Sequence, residues 1–274
     1  MREQGVTVIA EIGENHGGDM DLARDMLERA AAAGADIVKF QSYRGADVAP
    51  DDPEREWFTQ VELSDHAHHE LAQLARERGA EFLSAPFTVE RAQLLVEGVG
   101  LDAVKVASSE MLNTALLDYL NGRVGTVYIS TGLSNLDEVR EALEHLGDVP
   151  DVCVMHCVTQ YPLADEDANL RAISTLSEAL PGVRIGYSDH TLGITAPLLA
   201  VALGATVIEK HFTTDRSLPG TDHVISLLPG ELEQMVAEIR RAEKMLGSGE
   251  KRPVAGELEI REFVRNRFPK PAAI

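Results

Sequence analysis

The 274-residue chain has one tryptophan, two cysteines and few cations. Each shortage excludes something. The cysteines, Cys153 and Cys157, share the apolar run from Val152 to Val158, where strand geometry would hold their Cα atoms about 13 Å apart, against the roughly 7 Å limit of a disulfide. No oxidised framework is expected. No apolar run approaches the roughly 20 residues of a membrane span, and Met1-Arg2-Glu3-Gln4 opens no secretory leader, so the chain is expected to be cytoplasmic and away from membranes. With 25 Lys+Arg against 45 Asp+Glu the net charge is −20, which repels phosphate backbones and makes nucleic acid an unsuitable partner. An anionic substrate would need a local cluster of cations or a metal ion.

What is present is an ordinary globular composition, 44% hydrophobic and 26% charged, in a chain long enough for one large core. Short β-branched runs alternate with helical patterns from end to end. Strands are expected at about residues 6–13, 36–43, 81–87, 103–110, 125–132, 152–158, 184–189 and 206–213, and helices at 20–33, 64–78, 135–146, 170–180, 194–203 and 229–246. Eight strand-helix units at this length match a single-domain α/β fold, the (β/α)8 TIM barrel, over residues 1–250, followed by a C-terminal tail over 251–274. Ala33-Gly34-Ala35, Arg78-Gly79-Ala80 and Leu203-Gly204-Ala205 each place a glycine where a helix gives way to a strand, the left-handed stop position. The segment from Arg44 to Leu63, with Trp57, is long for a strand-to-helix connection and is a lid candidate.

Barrel chemistry sits at the C-terminal ends of the strands. Here those ends are polar: Glu11; Lys39 and Gln41; Lys105, Ser108 and Glu110; Ser130; Ser188, Asp189 and His190; Glu209 and His211. Alternation puts Lys39 with Gln41, and Glu209 with His211, on one face of each strand. A buried charge is costly unless paired, so these positions favour a site over packing. His190 and His211 end neighbouring strands, about 4.8 Å apart, close enough to share a metal ion. Such a pair is more often hydrogen-bonded core histidine; the nearby carboxylates Glu209 and Asp189 favour a divalent ion such as Mn²⁺. Lys39 and Lys105, with Ser108, Ser130 and Ser188, suit a small phosphate-bearing anion, although either lysine alone could simply pair with an acid. His66, His68 and His69 open a Ser-capped helix and are expected to face solvent, and Gly247-Ser248-Gly249-Glu250-Lys251 follows a helix, so it reads as a linker and not a phosphate loop.

Several segments together resemble the N-acetylneuraminate (sialic acid) synthase family of phosphoenolpyruvate-dependent synthases: Ala10-Glu11-Ile12-Gly13-Glu14-Asn15-His16-Gly17-Gly18, Ala33 to Gln41, Ser130-Thr131-Gly132, Gly186-Tyr187-Ser188-Asp189-His190-Thr191, Ile208 to Thr213, and Pro219-Gly220-Thr221-Asp222-His223. The resemblance runs from Val8 to about Lys251. It implies addition of phosphoenolpyruvate to the open-chain aldehyde of an acylated amino sugar, with phosphate leaving by C–O cleavage. By matching position, His190 and His211 would hold Mn²⁺ (Mg²⁺ or Co²⁺ as alternatives). Lys39, Lys105, Ser108, Ser130 and Ser188 would hold phosphoenolpyruvate, Glu11 would move a proton, and Gln41, Glu110, Thr159, Tyr161, Glu209 and Asp222 would complete the substrate site. Ala85 stands where a hydroxyl residue is frequent, and Thr159 where Ser or Asn is usual. The family usually continues into a small antifreeze-like domain that supplies an arginine to a partner's sugar pocket; the present sequence is expected to hold the catalytic barrel alone, as a homodimer. The competing expectations are another phosphoenolpyruvate aldol synthase making a 3-deoxy sugar acid, and a non-catalytic sugar-phosphate-binding barrel.

Overall fold

The computed structural model describes residues 5–268. Eight parallel strands, β1 (Thr7–Gly13), β2 (Ile37–Ser42), β3 (Glu81–Pro86), β4 (Ala103–Val106), β5 (Thr126–Ser130), β6 (Asp151–Cys157), β7 (Arg184–Asp189) and β8 (Val207–His211), run in the order β3-β2-β1-β8-β7-β6-β5-β4. β3 and β4 lie side by side without a paired ladder and close the barrel. The helices are α1 (Met20–Ala32), α2 (Arg55–Val61), α3 (Asp65–Glu77), α4 (Val89–Gln93), α5 (Thr114–Leu120), α6 (Leu136–Glu144), α7 (Ala172–Ala179), α8 (Thr195–Ala202), α9 (Pro229–Leu246) and α10 (Ala255–Arg265), with a π-helical turn at Leu94–Val99. The fold is the expected single-domain (β/α)8 TIM barrel.

Local chemistry sets these bounds. Asp19 caps α1 by accepting from the amides of Asp21 and Leu22, and Ala23, Met26, Leu27 and Ala30 bury one face against the sheet. Gly34, Gly79 and Gly204 all have φ between +76° and +103°, the left-handed stop that the repeated Gly-Ala signature implies. Gly247-Ser248-Gly249 does link α9 to α10, and α10 exposes Leu258, Ile260 and Phe263.

Period-two alternation divides the barrel. Outward residues such as Val8, Val38, Val127 and Ile208 join the core beneath the helices. Inward residues Ile9, Ile37, Leu83, Tyr128, Cys153, Met155 and Val207 form an apolar plug. One pleat further along, the inward row becomes Glu11, Lys39, Lys105, Ser130, Ser188 and Glu209, and these are buried too. An apolar floor therefore supports a charged layer that opens at the strand ends.

Three strand ends differ from expectation. β4 stops at Val106, and Ser108–Glu110 form a 3₁₀ turn; β5 stops at Ser130; β8 stops at His211, one bridge beyond being made between Phe212 and Leu227. In each case the ladder ends where the chain must turn outward to reach its helix. The segment from Arg44 to Leu63 contains α2, which carries Trp57 to where a Cβ added at Gly220, in the segment after β8, would meet its ring at 3.4 Å.

Candidate functional site

β1, β2, β4 and β8 converge their charged side chains at the barrel axis. Lys39 Nζ lies 2.9 Å from Glu11 Oε1 and 3.6 Å from Glu209 Oε2, and Lys105 Nζ lies 3.8 Å from Glu209 Oε1. Lys105 donates to Ser130 Oγ at 2.6 Å, and Ser188 Oγ donates to Glu209 Oε1 at 2.9 Å. Gln41 Nε2 reaches Glu11 Oε1 at 3.5 Å. All four ionic groups are buried, yet Glu11 Oε2 and Glu209 Oε2 have no hydrogen-bond partner.

Their environments push the two carboxyls apart. Burial raises Glu11 above its ordinary value despite the pull of Lys39, whereas at Glu209 burial is outweighed by Lys105, Lys39 and the Ser188 hydroxyl, which hold it low. Glu209 is the resident anion and Glu11 the readier proton carrier. Burial works against both ammoniums; Glu11 and Glu209 outweigh it at Lys39 and raise it, but Lys105 is left lowered.

The two histidines stand beside this row. His190 and His211 have ring centroids 5.4 Å apart, and the Tyr161 ring lies 4.0 Å from His190 and edge-on to His211 at 5.8 Å. His190 Nδ1 sits 2.7 Å from the Val158 carbonyl, an N–H donation that leaves the Nε2 lone pair free. His211 Nδ1 is buried without a hydrogen-bond partner, 3.5 Å from Asp222 Oδ2. Burial, then His190, Lys39, Lys210 and Lys105, push His211 well below its usual range, so it is neutral. Two lone-pair imidazoles fit a divalent ion. Among the described residues no three His, Cys, Asp or Glu side chains form a complete metal cluster, so such an ion would take its other ligands from water or substrate.

Of the expected site residues, Glu11, Lys39, Gln41, Lys105, Ser130, Ser188, His190, Glu209, His211 and Asp222 come together. Ser108 sits at the rim and accepts from the Gly132 amide at 3.1 Å; Thr159 Oγ1 lies so near Gly132 that an added Cβ would approach it at 2.1 Å. Glu110 is less central. Its carboxylate is tied to Asn113 Nδ2 at 2.9 Å, the cap of α5.

Two readings are corrected. Asp189 is not beside the histidine pair's open face: it points outward, pairs with Lys210 at 2.7 Å, and accepts from the Tyr187 hydroxyl and the Thr191 amide. Its charge is spent behind the site. His68 does not face solvent with His66 and His69; it is fully buried, Nδ1 2.9 Å from the Ser64 carbonyl, and burial pushes it down to about 4. His68 falls on the face that α3 buries with Ala67, Leu71, Ala72 and Ala75.

Two residues escaped the sequence reading. Cys157 Sγ lies 4.0 Å from His190 Nδ1, and Glu14 is buried in the turn after β1 with Oε2 unpartnered. The unbroken polar run Glu14-Asn15-His16 past a strand end is the available signal.

No helix among the described residues is long and apolar enough to cross a membrane. Relatives place the arrangement in context. The chain is 40% identical over 279 residues to the N,N'-diacetyllegionaminic acid synthase of Legionella pneumophila, covering 94% of this chain and 78% of that one. It is 34% identical to the human N-acetylneuraminate-9-phosphate synthase, covering 93% and 75%. The crystal structure of the N-acetylneuraminic acid synthetase of Leptospira borgpetersenii superposes with a TM-score of 0.89 at 37% identity, covering 95% and 92%. These relatives are sugar acid synthases, and with residues 26–251 matching its family pattern, the chain belongs to the NeuB family.

Proposed function

We propose that the chain condenses phosphoenolpyruvate with the open-chain aldehyde of a sugar, an acylated amino sugar by analogy with the relatives. C3 of the enol forms the bond to the aldehyde carbon, water adds at C2, and phosphate leaves with the bridging oxygen. The observation that carries this reading is the buried row Glu11-Lys39-Glu209-Lys105 beside two neutral-capable imidazoles. In a molecule of charge −20, two lysines at the barrel axis are the local compensation that a multiply charged anion requires.

Lys39 and Lys105 bind the anion, and Ser108, Ser130 and Ser188 offer hydroxyl donors around it. Glu11, whose carboxyl burial raises above its ordinary value, moves the proton between the attacking water and the new alkoxide. Glu209, held low, is the anion that opposes the cost of burying both ammoniums. Tyr161, Asp222, Gln41, Thr159 and Glu110 line the acceptor side. A divalent ion held by His190 and His211, Mn²⁺ by resemblance to the family or else Mg²⁺ or Co²⁺, would supply Lewis-acid polarisation of the aldehyde oxygen.

The test is phosphoenolpyruvate consumption across a panel of aldehydes with each metal in [¹⁸O]water. Solvent oxygen on the new keto carbon, read before exchange, and none in phosphate is the expected result. Solvent oxygen in phosphate, or no aldehyde-dependent consumption, overturns the reading.

A further inference from the structure

Among the described residues Arg91 is the largest side chain buried in full, and the proposed reaction does not use it. A buried guanidinium is costly, and an apolar side chain of similar volume would fill the same space without that cost. What an apolar group cannot do is hold two separate partners from one rigid fork.

Arg91 holds two. Thr88 caps α4 by accepting from the Arg91 amide at 3.2 Å, which places Arg91 in the first turn of the helix that follows β3. From there its Nε donates to Ser42 Oγ at 2.9 Å and its Nη1 to Asp65 Oδ1 at 2.5 Å. Ser42 ends β2 and Asp65 opens α3, so one guanidinium joins the two points between which residues 43–64 leave the barrel. Arg44 also approaches Asp65, at 3.9 Å, but both side chains are half exposed, where such a contact holds little.

The excursion is fastened to itself as well. The Gly45 amide donates to Glu62 Oε2 at 2.6 Å, Arg55 Nη2 donates to the Ala46 carbonyl at 3.3 Å, and the Tyr43 and Phe58 rings meet edge-on at 5.1 Å. Its two arms are thus one body, and whatever holds the base directs the rest. The far side lies against the chain that follows β1 and β8: a Cβ added at Gly18 would collide with the Gln60 carbonyl, and one added at Gly220 would meet the Trp57 ring at 3.4 Å. Those two strands carry Glu11, Glu209 and His211.

We propose that Arg91 is a positioning residue, a two-ended clasp that joins Ser42 to Asp65 and so holds the 43–64 excursion against the chain after β1 and β8. The consequence for binding rests on the condensation reading: an excursion held in place before phosphoenolpyruvate arrives does not have to be ordered as it binds.

Trp57 is the only tryptophan, so quenching of its fluorescence by acrylamide reads the excursion alone. Ser42→Ala removes one end of the clasp and Asp65→Ala the other; the first deletes only a hydroxyl and the second a half-exposed carboxylate, so both are expected to keep the barrel's helical content. Each is expected to raise the quenching constant about twofold, and the double variant no further than either single one, because a clasp open at one end is already open. Calorimetric affinity for phosphoenolpyruvate, with Mn²⁺ present, is expected to fall about fivefold in each, again with no further loss in the double variant. Unchanged quenching in either single variant overturns the proposal. So does a double variant whose effect is the sum of the two, which would mean independent local contacts, and so does raised quenching with phosphoenolpyruvate bound as tightly as by the parent. A parent that does not bind phosphoenolpyruvate, with the quenching pattern as expected, sinks the condensation reading and leaves the clasp standing.

Discussion

Lys39 Nζ stands 2.9 Å from Glu11 Oε1 at the barrel axis, with side chains only 5% and 3% exposed. Removing one member of such a pair leaves an uncompensated buried charge, a loss of about 3–5 kcal/mol, whereas removing both costs much less. Lys39→Met is expected to lower stability to urea by about that amount and to raise the phosphoenolpyruvate KM. Lys39→Met/Glu11→Gln is expected to regain more than half of the stability and none of the affinity. A double variant as unstable as the single would show that the two groups are not coupled.

Glu11 separates proton movement from binding. Because Lys39 and Lys105 remain in Glu11→Gln, phosphoenolpyruvate binding is expected to change by less than about tenfold while kcat falls by about 10²–10⁴, the usual range for a lost acid-base group. Calorimetric affinity measured beside turnover distinguishes the two. Near-normal kcat would remove the proton-transfer role and leave Glu11 as a structural partner of Lys39.

Much of this site was legible in the sequence because a strand has an integral period of two. Once Lys39 and Gln41 fall on one face, their convergence at the mouth of a closed barrel follows, with Lys39 buried and Gln41 half-buried, and the same parity aligns Glu209 with His211. Parity did not reveal which face was inward for Asp189. Strands in a closed barrel are buried on both sides, so an outward carboxylate paired with Lys210 looks in the sequence like an inward one. The end of β4 was unreadable for another reason: Ser108-Ser109-Glu110 continues the polar pattern, and only the chain's exit toward α5 converts it to a 3₁₀ turn. Glu14 lies past its strand's last inward residue, where no periodicity applies and burial depends on α2 arriving from residues 55–61.

Asp189 and Lys210 tie β7 to β8 directly behind His190 and His211. Both side chains are completely buried, and Asp189 also receives the Thr191 amide, so the pair fixes the direction in which the chain leaves β7. Lys210→Met is expected to cost about 3–5 kcal/mol of stability and to weaken Mn²⁺ binding by about 10–100-fold, the scale seen when the supports of metal-binding histidines are lost. Equilibrium metal titration on the folded fraction checks this. Unchanged metal affinity would confine the pair to stability.

Gly132 is a steric requirement at the rim. A Cβ there would lie 2.1 Å from Thr159 Oγ1 and 2.8 Å from Ser108 Oγ, inside the closest approach of real atoms, while the Gly132 amide itself donates to Ser108. Gly132→Ala is expected to raise the phosphoenolpyruvate KM by about tenfold or more by displacing Ser108, with helical content retained. Adding Thr159→Ala removes the nearer clash and should recover part of the loss. A Gly132→Ala enzyme with unaltered KM would mean that this rim does not touch the anion.

Glu14 makes stability depend on pH in a direction set by burial. Its carboxyl is raised from 4.5 to about 7 in the folded protein, so between those values the folded state binds the extra proton and stability falls as pH rises. Below about 4.5 the group is neutral in both states and costs nothing; above about 7 the folded state carries the full cost of a buried carboxylate, about 3 kcal/mol. Glu14→Gln keeps the shape and removes the titration. The variant is therefore expected to exceed the parent by about 3 kcal/mol in urea unfolding at pH 8.5 and to converge with it by pH 4.5. A difference that stays constant across this range would mean that Glu14 titrates in the folded protein as it does in the unfolded chain, and that its surroundings are open to water.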